Sequence, residues 1–251
     1  MNRVICRIGT GALLLLPAAV IGVAAWLRFS HIGLYEQLVQ EDGLIEFAQV
    51  GIYFVAALLC FGRSVTVYSA ARIESCVVLV VGVALLFVCG EEISWGHGLF
   101  SLELPEYFRT HNVQGDLTLH NLRSVQPLLH SLYVGAGLVG AFAWLCAGLL
   151  PWRLLDHLLS VYAPKPHLMF YFLPTAAIYL WFDWVGPWCA DYFGYPSCRP
   201  SFDHSRSWVA FKDQEVAELL LAIGVLMALL ESLRANAFDS EFRSGGGSKT
   251  E

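Results

Sequence analysis

The sequence has few charged residues and lacks the short motifs that identify many soluble enzymes. Only 14% of its 251 residues are charged, whereas a soluble domain carries about a quarter. The basic residues are scattered and the net charge is −6, so nothing indicates a nucleic-acid partner. The seven cysteines form no C-x-x-C pair and no zinc-ribbon spacing. The G-x-S-x-G, H-E-x-x-H, P-loop and Glu-x-x-His patterns are absent too.

Apolar residues, in contrast, are abundant and arranged in long runs. They make up 57% of the chain, and six runs are close to the length of about 20 residues that crosses a bilayer core. The runs cover 8–27, 44–62, 76–99, 128–150, 167–188 and 216–233. A backbone in lipid must satisfy its own hydrogen bonds, which favours helices. The sequence therefore predicts an all-α integral membrane protein with about six transmembrane helices.

We expect one polytopic membrane domain over 1–243 and a disordered tail over 244–251, which reads SGGGSKTE. The first run resembles a signal peptide, but more spans follow and no clear cleavage site ends it, so we interpret it as a retained helix. Between the third and fourth spans, Pro105 followed by Glu106 predicts a short amphipathic helix at the membrane surface.

The distribution of charge predicts how the spans are oriented. Nine of the 15 basic residues fall on the side of the N-terminus, which favours cytoplasmic termini and a bacterial cytoplasmic membrane. All but six of the 21 acidic residues, and six of the eight histidines, fall on or near the other side. Because acids contribute little to topology, this asymmetry predicts a polar site at the outer membrane face.

The sharpest candidate motif is GEEISWGH, residues 90–97. Counted along the third span at 1.5 Å per residue, Glu91 lies about 22 Å from the start, near the hydrocarbon edge. Ionisable groups at such depth usually face the bundle interior and mark a site. Glu92 points about 100° away from Glu91 on a helix, so the two are expected to have different partners. The alternative is that the helix ends near Val88 and leaves both acids in water.

The second motif is HNVQGDLTLHN, residues 111–121. If its second half is helical, Asp116 and His120 share one face. Imidazole and carboxylate are common ligands of first-row metals. The alternative is a solvated loop in which these side chains cap turns.

Four predicted spans bring an acid to the same end of the bundle. Glu46 begins the second span, Asp183 lies near the end of the fifth, and Glu218 begins the sixth. Together with the acids of the third span they suggest a shared pocket. Asp213 and Glu215, just before Glu218, are also explained by the favourable place of acids in the first turn of a helix.

Two weaker signals lie near the end of the fifth span. Cys189 and Cys198 share an outer loop and would form a disulfide if that side is oxidising. Three tryptophans are typical of an interfacial aromatic belt, although they would also suit the wall of an acyl-chain groove. They are Trp181, Trp184 and Trp188.

The two motifs, together with Asp42 and Glu46, resemble a pattern in a group of uncharacterised bacterial multi-pass membrane proteins. That group has Gln where His97 stands, and Glu and Asn near Asp116 and Thr118. The resemblance covers about 90–121 and implies a shared site without naming a reaction. A looser analogy links the chain to the alkaline ceramidase superfamily of membrane metallohydrolases. Those proteins have seven helices and, as the resemblance implies, use His, Asp and Ser around zinc.

These observations lead us to expect a metal-dependent enzyme that hydrolyses a lipid or lipid-linked substrate at the outer face. A divalent metal, with zinc as the first expectation, would activate water, and a carboxylate would be the general base. The predicted catalytic residues are Glu46, Glu91, Glu92 and Ser94. The predicted metal ligands are His111, Asp116, His120 and Glu218. The predicted substrate-binding residues are Trp95, His97, Asn112, Gln114 and Asn121.

Two other classes of function stay open at this point. Buried carboxylates also serve proton- or ion-coupled transporters, although no predicted span carries an acid at mid-membrane. The other class is a non-catalytic subunit that docks a protein partner through its outer loops. The expected partner is membrane lipid, and no sequence feature indicates a homo-oligomer.

Overall fold

The computed structural model describes residues 2–40, 43–69, 71–112, 115–149 and 151–245. Within these ranges the chain forms eleven α-helices: α1 (Asn2–Ser30), α2 (Ile32–Val39), α3 (Leu44–Val67), α4 (Arg72–Glu92), α5 (His97–Phe100), α6 (Glu106–His111), α7 (Gln126–Phe142), α8 (Arg153–Tyr162), α9 (Met169–Leu180), α10 (Gly186–Phe193) and α11 (Gln214–Gly245). A π-helical turn, Trp181–Val185, joins α9 to α10. The described residues contain two isolated β-bridges and no strand. The predicted all-α class is confirmed.

Six helical stretches in the described part of the chain are long and apolar enough to cross a membrane. They are α1, α2 with α3, α4, α7, α9 continued into α10, and α11. Each overlaps one of the six predicted runs, because length and apolarity alone determine which helices can span. The protein is therefore an integral membrane protein.

Helix α11 lies at the centre of the bundle, between two helix pairs. On one side, Ala222 of α11 packs in a cluster with Ala56 of α3 and Leu85 of α4. On the other side, Leu220 of α11 packs with Phe172 of α9 and with residues of α7. Helix α1 is peripheral, with most of its described side chains exposed at the lipid-facing surface. The buried core therefore joins α3, α4, α7 and α9 through α11.

Helices α7 and α9 approach closely where α7 has glycine. A Cβ atom placed on Gly137 would lie 2.7 Å from the backbone nitrogen of Ala176, so any side chain there would push α9 away. Two residues earlier, a Cβ on Gly135 would meet nothing within 4 Å. Small residues at helix contacts are typical of membrane bundles, in which close van der Waals packing replaces the hydrophobic effect.

Two helices were not predicted from the sequence. Helix α2 is a helix of eight residues that follows α1, and α8 is an amphipathic helix that follows α7. Tyr162, the last residue of α8, donates a hydrogen bond of 2.5 Å to Glu74 of α4, and Arg63 of α3 donates to the same carboxylate at 3.0 Å. Burial raises the pKa of Tyr162 to about 12, which keeps the hydroxyl protonated as a donor. These bonds fasten α8 to the α3–α4 pair.

A short helix between the third and fourth spans is confirmed as α6, with Pro105 at its N-cap, and its place at the membrane surface stays a prediction. A disulfide joins Cys189 and Cys198, the pair that the sequence placed in one outer loop. The belt prediction for the tryptophans stays a prediction, with Trp184 and Trp188 exposed. Asp42, Gln114 and all but the first two residues of the predicted tail lie outside the described residues.

Candidate functional site

The Glu91 carboxylate organises the loop that follows α6. Glu91 is buried at the end of α4, so the alternative that the helix stops near Val88 is wrong. Its Oε2 atom accepts hydrogen bonds from the backbone N–H groups of Leu119, at 2.7 Å, and His120, at 2.9 Å. Its Oε1 atom accepts a bond of 2.6 Å from the indole N–H of Trp95. Bonds to a charged group contribute about 1.5–3 kcal/mol each, so Glu91 fixes the loop against α4.

The residues after α4 form a left-handed turn that holds Trp95 in place. Ser94, Trp95 and Gly96 have φ angles of 48°, 50° and 77°, a conformation that costs about 1–2 kcal/mol for each non-glycine residue. The Trp95 ring lies against Gly90, where a Cβ atom would come within 2.8 Å of it. The GEEISWG motif thus combines a strained turn with the contacts that stabilise it.

Asp116 is held within the loop by three side-chain hydrogen bonds. It accepts hydrogen bonds from Thr118 Oγ1 at 2.7 Å, Asn121 Nδ2 at 3.0 Å and Ser94 Oγ at 3.3 Å. Asn112 donates to the backbone oxygen of Thr118 at 3.0 Å. The segment is irregular, not helical, so the prediction that Asp116 and His120 share a helix face is wrong. Hydrogen bonds between side chains and the nearby backbone compete with those of a helix.

A cavity of about 190 Å³ lies beside this loop. It is enclosed by the beginnings of α3, α7 and α11 and by the ends of α4 and α9. Its polar lining consists of Glu46, Glu92, His120, Asn121, Gln126, His130, Tyr133, Tyr179, Lys212, Gln214, Glu215 and Glu218. Leu129, Phe202 and Phe211 complete the wall. We call the membrane face at this end of the bundle the cavity face.

Negative charge dominates the lining. Four glutamates face the cavity, whereas Lys212 is the single lysine or arginine among the lining residues that the structure describes. Carboxylates are costly near the hydrocarbon region unless they are protonated or paired. Bringing four together also adds mutual repulsion. Protonation of some of these carboxylates, or a bound cation, would offset that repulsion.

Glu218 is the most deeply placed of these acids, with only 4% of its surface exposed. It accepts hydrogen bonds from the hydroxyl groups of Tyr179 and Tyr133, the latter at 3.3 Å. The two rings stack, with centroids 4.6 Å apart. One turn earlier, the Glu215 carboxylate accepts from Gln49 Nε2 at 3.3 Å. Helices α3, α7 and α9 thus all position the acids of α11.

Both histidines of the cavity have a carboxylate behind them. His120 Nδ1 lies 3.3 Å from Glu91, and His130 Nδ1 lies 2.8 Å from Asp183 Oδ1 in the π-helical turn. Sequence reasoning counted Asp183 among the acids of a shared pocket, whereas the structure places it against His130 and outside the cavity lining. Sequence reasoning did not name His130 as a site residue. The available signal was that it lies at the acid-rich end of its span.

Asp213 belongs to a separate cluster that ties α1 and α2 to α11. It pairs with Arg28 at 3.2 Å, accepts from Tyr35 at 2.7 Å and accepts the backbone N–H of Ala210 at 2.8 Å. The interpretation of Asp213 as an acid at a helix start is consistent with this capping bond. Glu215, in contrast, faces the cavity.

The structure gathers some of the predicted site residues and separates others. Those that line the cavity are Glu46, Glu92, His120, Asn121 and Glu218. Those held in or beside the loop network are Glu91, Ser94, Trp95, Asn112 and Asp116. His111 is exposed, with its ring stacked on Tyr107 of its own helix at 4.5 Å, and His97 begins α5. Among the described residues, no three His, Cys, Asp or Glu side chains are already gathered as ligands of one ion.

No family model, curated protein or solved structure matches this chain. The chemistry of the cavity therefore has to be inferred from its own residues and their contacts.

Proposed function

We propose that this protein is a membrane-embedded hydrolase that cleaves a lipid or lipid-linked substrate in the cavity, with a divalent cation held by the cavity carboxylates. The observation that carries the proposal is the convergence of Glu46, Glu92, Glu215 and Glu218, from three helices, on one cavity. A divalent cation would offset the repulsion among these groups and would lower the pKa of a bound water.

The donor set fits a hard cation better than the zinc expected from the sequence. Glutamate oxygens form most of the possible ligands, and oxygen ligands suit Mg²⁺ or Mn²⁺. His120 adds one imidazole nitrogen. Asp116 and His111 do not contribute to the cavity lining, so the proposed ligands are drawn from Glu46, Glu92, Glu218 and His120.

The position of the cavity supports a lipid substrate. Its walls are the ends of transmembrane helices, which lie at the depth of lipid headgroups and of the first part of their chains. At about 10–15 Å³ per water molecule, its volume admits water together with a small polar group. The apolar wall residues Phe202 and Phe211 would contact the adjoining chain. From the charge bias of the loops, we propose that the cavity face is the outer face of the membrane.

The test is to measure bound metal and lipid turnover in the same preparation. We expect about one cation per chain in protein purified with Mn²⁺, and its loss in the double variant Glu92→Gln, Glu218→Gln. The matched control is His31→Ala, an exposed histidine between α1 and α2 whose ring lies against Trp26. Vesicles of phosphatidylethanolamine and phosphatidylglycerol, analysed by mass spectrometry, report hydrolysis. A folded wild type with no cation and no turnover would overturn the proposal.

A proton-coupled transporter is the second candidate, and the burial of Glu218 between two tyrosine hydroxyls favours it. A deeply buried acid with neutral donors is suited to binding and releasing a proton. Proteoliposomes with a pH-sensitive dye inside distinguish the two. Proton flux abolished by Glu218→Gln, in protein that binds no metal, would favour transport over hydrolysis.

A further inference from the structure

His130 is held in the cavity wall by a contact that orients its ring. It lies in the second turn of α7, and its Nδ1 atom is 2.8 Å from Asp183 Oδ1, within the range of a good hydrogen bond. The side chain is 18% exposed. Its ring packs on that of Tyr179, with centroids 4.9 Å apart. The ring therefore has a fixed position between Asp183 and the cavity.

Asp183 lies in the π-helical turn between α9 and α10. Such turns are rare and are frequent at functional sites, since they change the direction of the side chains that follow. An ionised carboxylate only accepts hydrogen bonds, so the proton of the neutral imidazole is assigned to Nδ1. Nε2 is then the nitrogen left with a lone pair for the cavity.

Two other cavity groups, Glu218 and His120, are less suited to orienting a water molecule for attack, because other groups already engage them. Glu218 already accepts two tyrosine hydroxyls. His120 Nδ1 is 3.3 Å from Glu91, whose nearest oxygen already accepts two backbone N–H groups. Only His130, among the cavity groups that the structure describes, combines a good hydrogen bond to a carboxylate with a place in the lining.

Resting on the proposed hydrolysis, we infer that His130 is a catalytic residue that transfers the proton of the attacking water, and that Asp183 is its positioning residue. The water oxygen bonds to the electrophilic carbon or phosphorus of the substrate while Nε2 takes one proton from that water. The same proton passes from Nε2 to the leaving oxygen or nitrogen as its bond to the substrate breaks. One water is consumed, nothing is oxidised or reduced, and Asp183 stabilises the transient imidazolium.

The first experiment measures turnover of the phosphatidylethanolamine and phosphatidylglycerol vesicles by full-length variants. We expect His130→Ala to lower kcat by about a hundredfold or more and added imidazole to restore part of that loss. We expect Asp183→Asn to lower kcat by about tenfold to a hundredfold, with Asp183→Glu retaining more activity. His31→Ala is the control. A folded His130→Ala variant with normal kcat, or one that imidazole fails to rescue, would overturn the inference.

The second experiment does not depend on turnover. In ¹⁵N-histidine-labelled protein in micelles, the shifts of the two ring nitrogens identify the tautomer of His130. We expect the proton on Nδ1 in the wild type and a loss of that preference in Asp183→Asn. A proton on Nε2 in the wild type would overturn the inference whether or not any lipid is cleaved. A wild type that cleaves no lipid but has the expected tautomer would overturn the proposed hydrolysis and, with it, the catalytic assignment, while the positioning of His130 by Asp183 would stand.

Discussion

Glu91 and Glu92 are adjacent in the sequence, yet their carboxylates face different parts of the molecule. Glu91 accepts backbone hydrogen bonds from the loop at Leu119 and His120, whereas Glu92 lines the cavity. Successive residues of a helix point about 100° apart, so the last turn of α4 supplies one acid for the loop and one for the cavity. The prediction that the two serve different partners is confirmed.

This division predicts different effects of the same substitution at neighbouring positions. Glu91→Gln removes a charged acceptor of three hydrogen bonds, so we expect a loss of about 2–3 kcal/mol of stability. Glu92→Gln removes one of four like charges and is expected to leave the unfolding temperature equal or higher. Thermal unfolding of both variants in detergent, followed by intrinsic fluorescence, makes the comparison. Equal destabilisation by the two variants would contradict the division.

Glycine at the α7–α9 contact provides a second prediction. Gly137→Ala would place a Cβ atom 2.7 Å from the backbone of α9, and overpacking of this kind costs about 1–3 kcal/mol. Gly135→Ala on the same helix meets nothing within 4 Å and is expected to be neutral or slightly stabilising. Unfolding temperatures of the two variants test this, and a fall of similar size in Gly135→Ala would argue against close α7–α9 packing.

The tyrosine hydroxyl groups that donate hydrogen bonds to Glu218 predict energetic coupling between Tyr179 and Glu218. Tyr179→Phe removes a donor to a buried carboxylate, which is expected to cost about 1–3 kcal/mol. In a Glu218→Gln background the same change removes a weaker, neutral hydrogen bond and should cost less. A double-mutant cycle on unfolding free energies isolates the difference. A coupling energy of zero would mean that the Tyr179 hydroxyl does not stabilise the Glu218 carboxylate.

The disulfide of the loop after α10 gives a fourth prediction. Cys189 and Cys198 are nine residues apart, and closing a loop of about ten residues stabilises the folded state by about 2–3 kcal/mol in the chain-entropy model. The double variant Cys189→Ser, Cys198→Ser should lose that amount, and reductant should lower the stability of the wild type only. A wild type insensitive to reductant in thermal unfolding would show that the bond contributes little.

The spanning helices and the acid-rich face were predictable because they depend on properties that are local in sequence. Length and apolarity locate the spans, and counting acids along them locates the end at which Glu46, Glu92 and Glu218 meet. The third span was predicted to run to Leu99, but α4 ends at Glu92. Polar residues beyond that point favour loop contacts over helix continuation.

What could not be predicted is pairing between distant residues. His130 and Asp183 are 53 positions apart, and the π-helical turn that contains Asp183 has no reliable sequence signal. The hydrogen bonds that hold Asp116, with Ser94 among the donors, are likewise not evident from spacing. Residue types therefore indicated that a polar site exists, while tertiary contacts determine which residues line the cavity and which support it.

The central position of α11 has a consequence for biosynthesis. The ribosome delivers the acids of α3 and α4 to the membrane first, and Glu215 and Glu218 arrive only with the last described helix. Until then, Tyr133 and Tyr179 lack their acceptor, and the α3–α4 and α7–α9 pairs lack the helix that joins them. A nascent chain that stops before Gln214 is therefore expected to assemble incompletely, since it contains both helix pairs but not the helix that joins them.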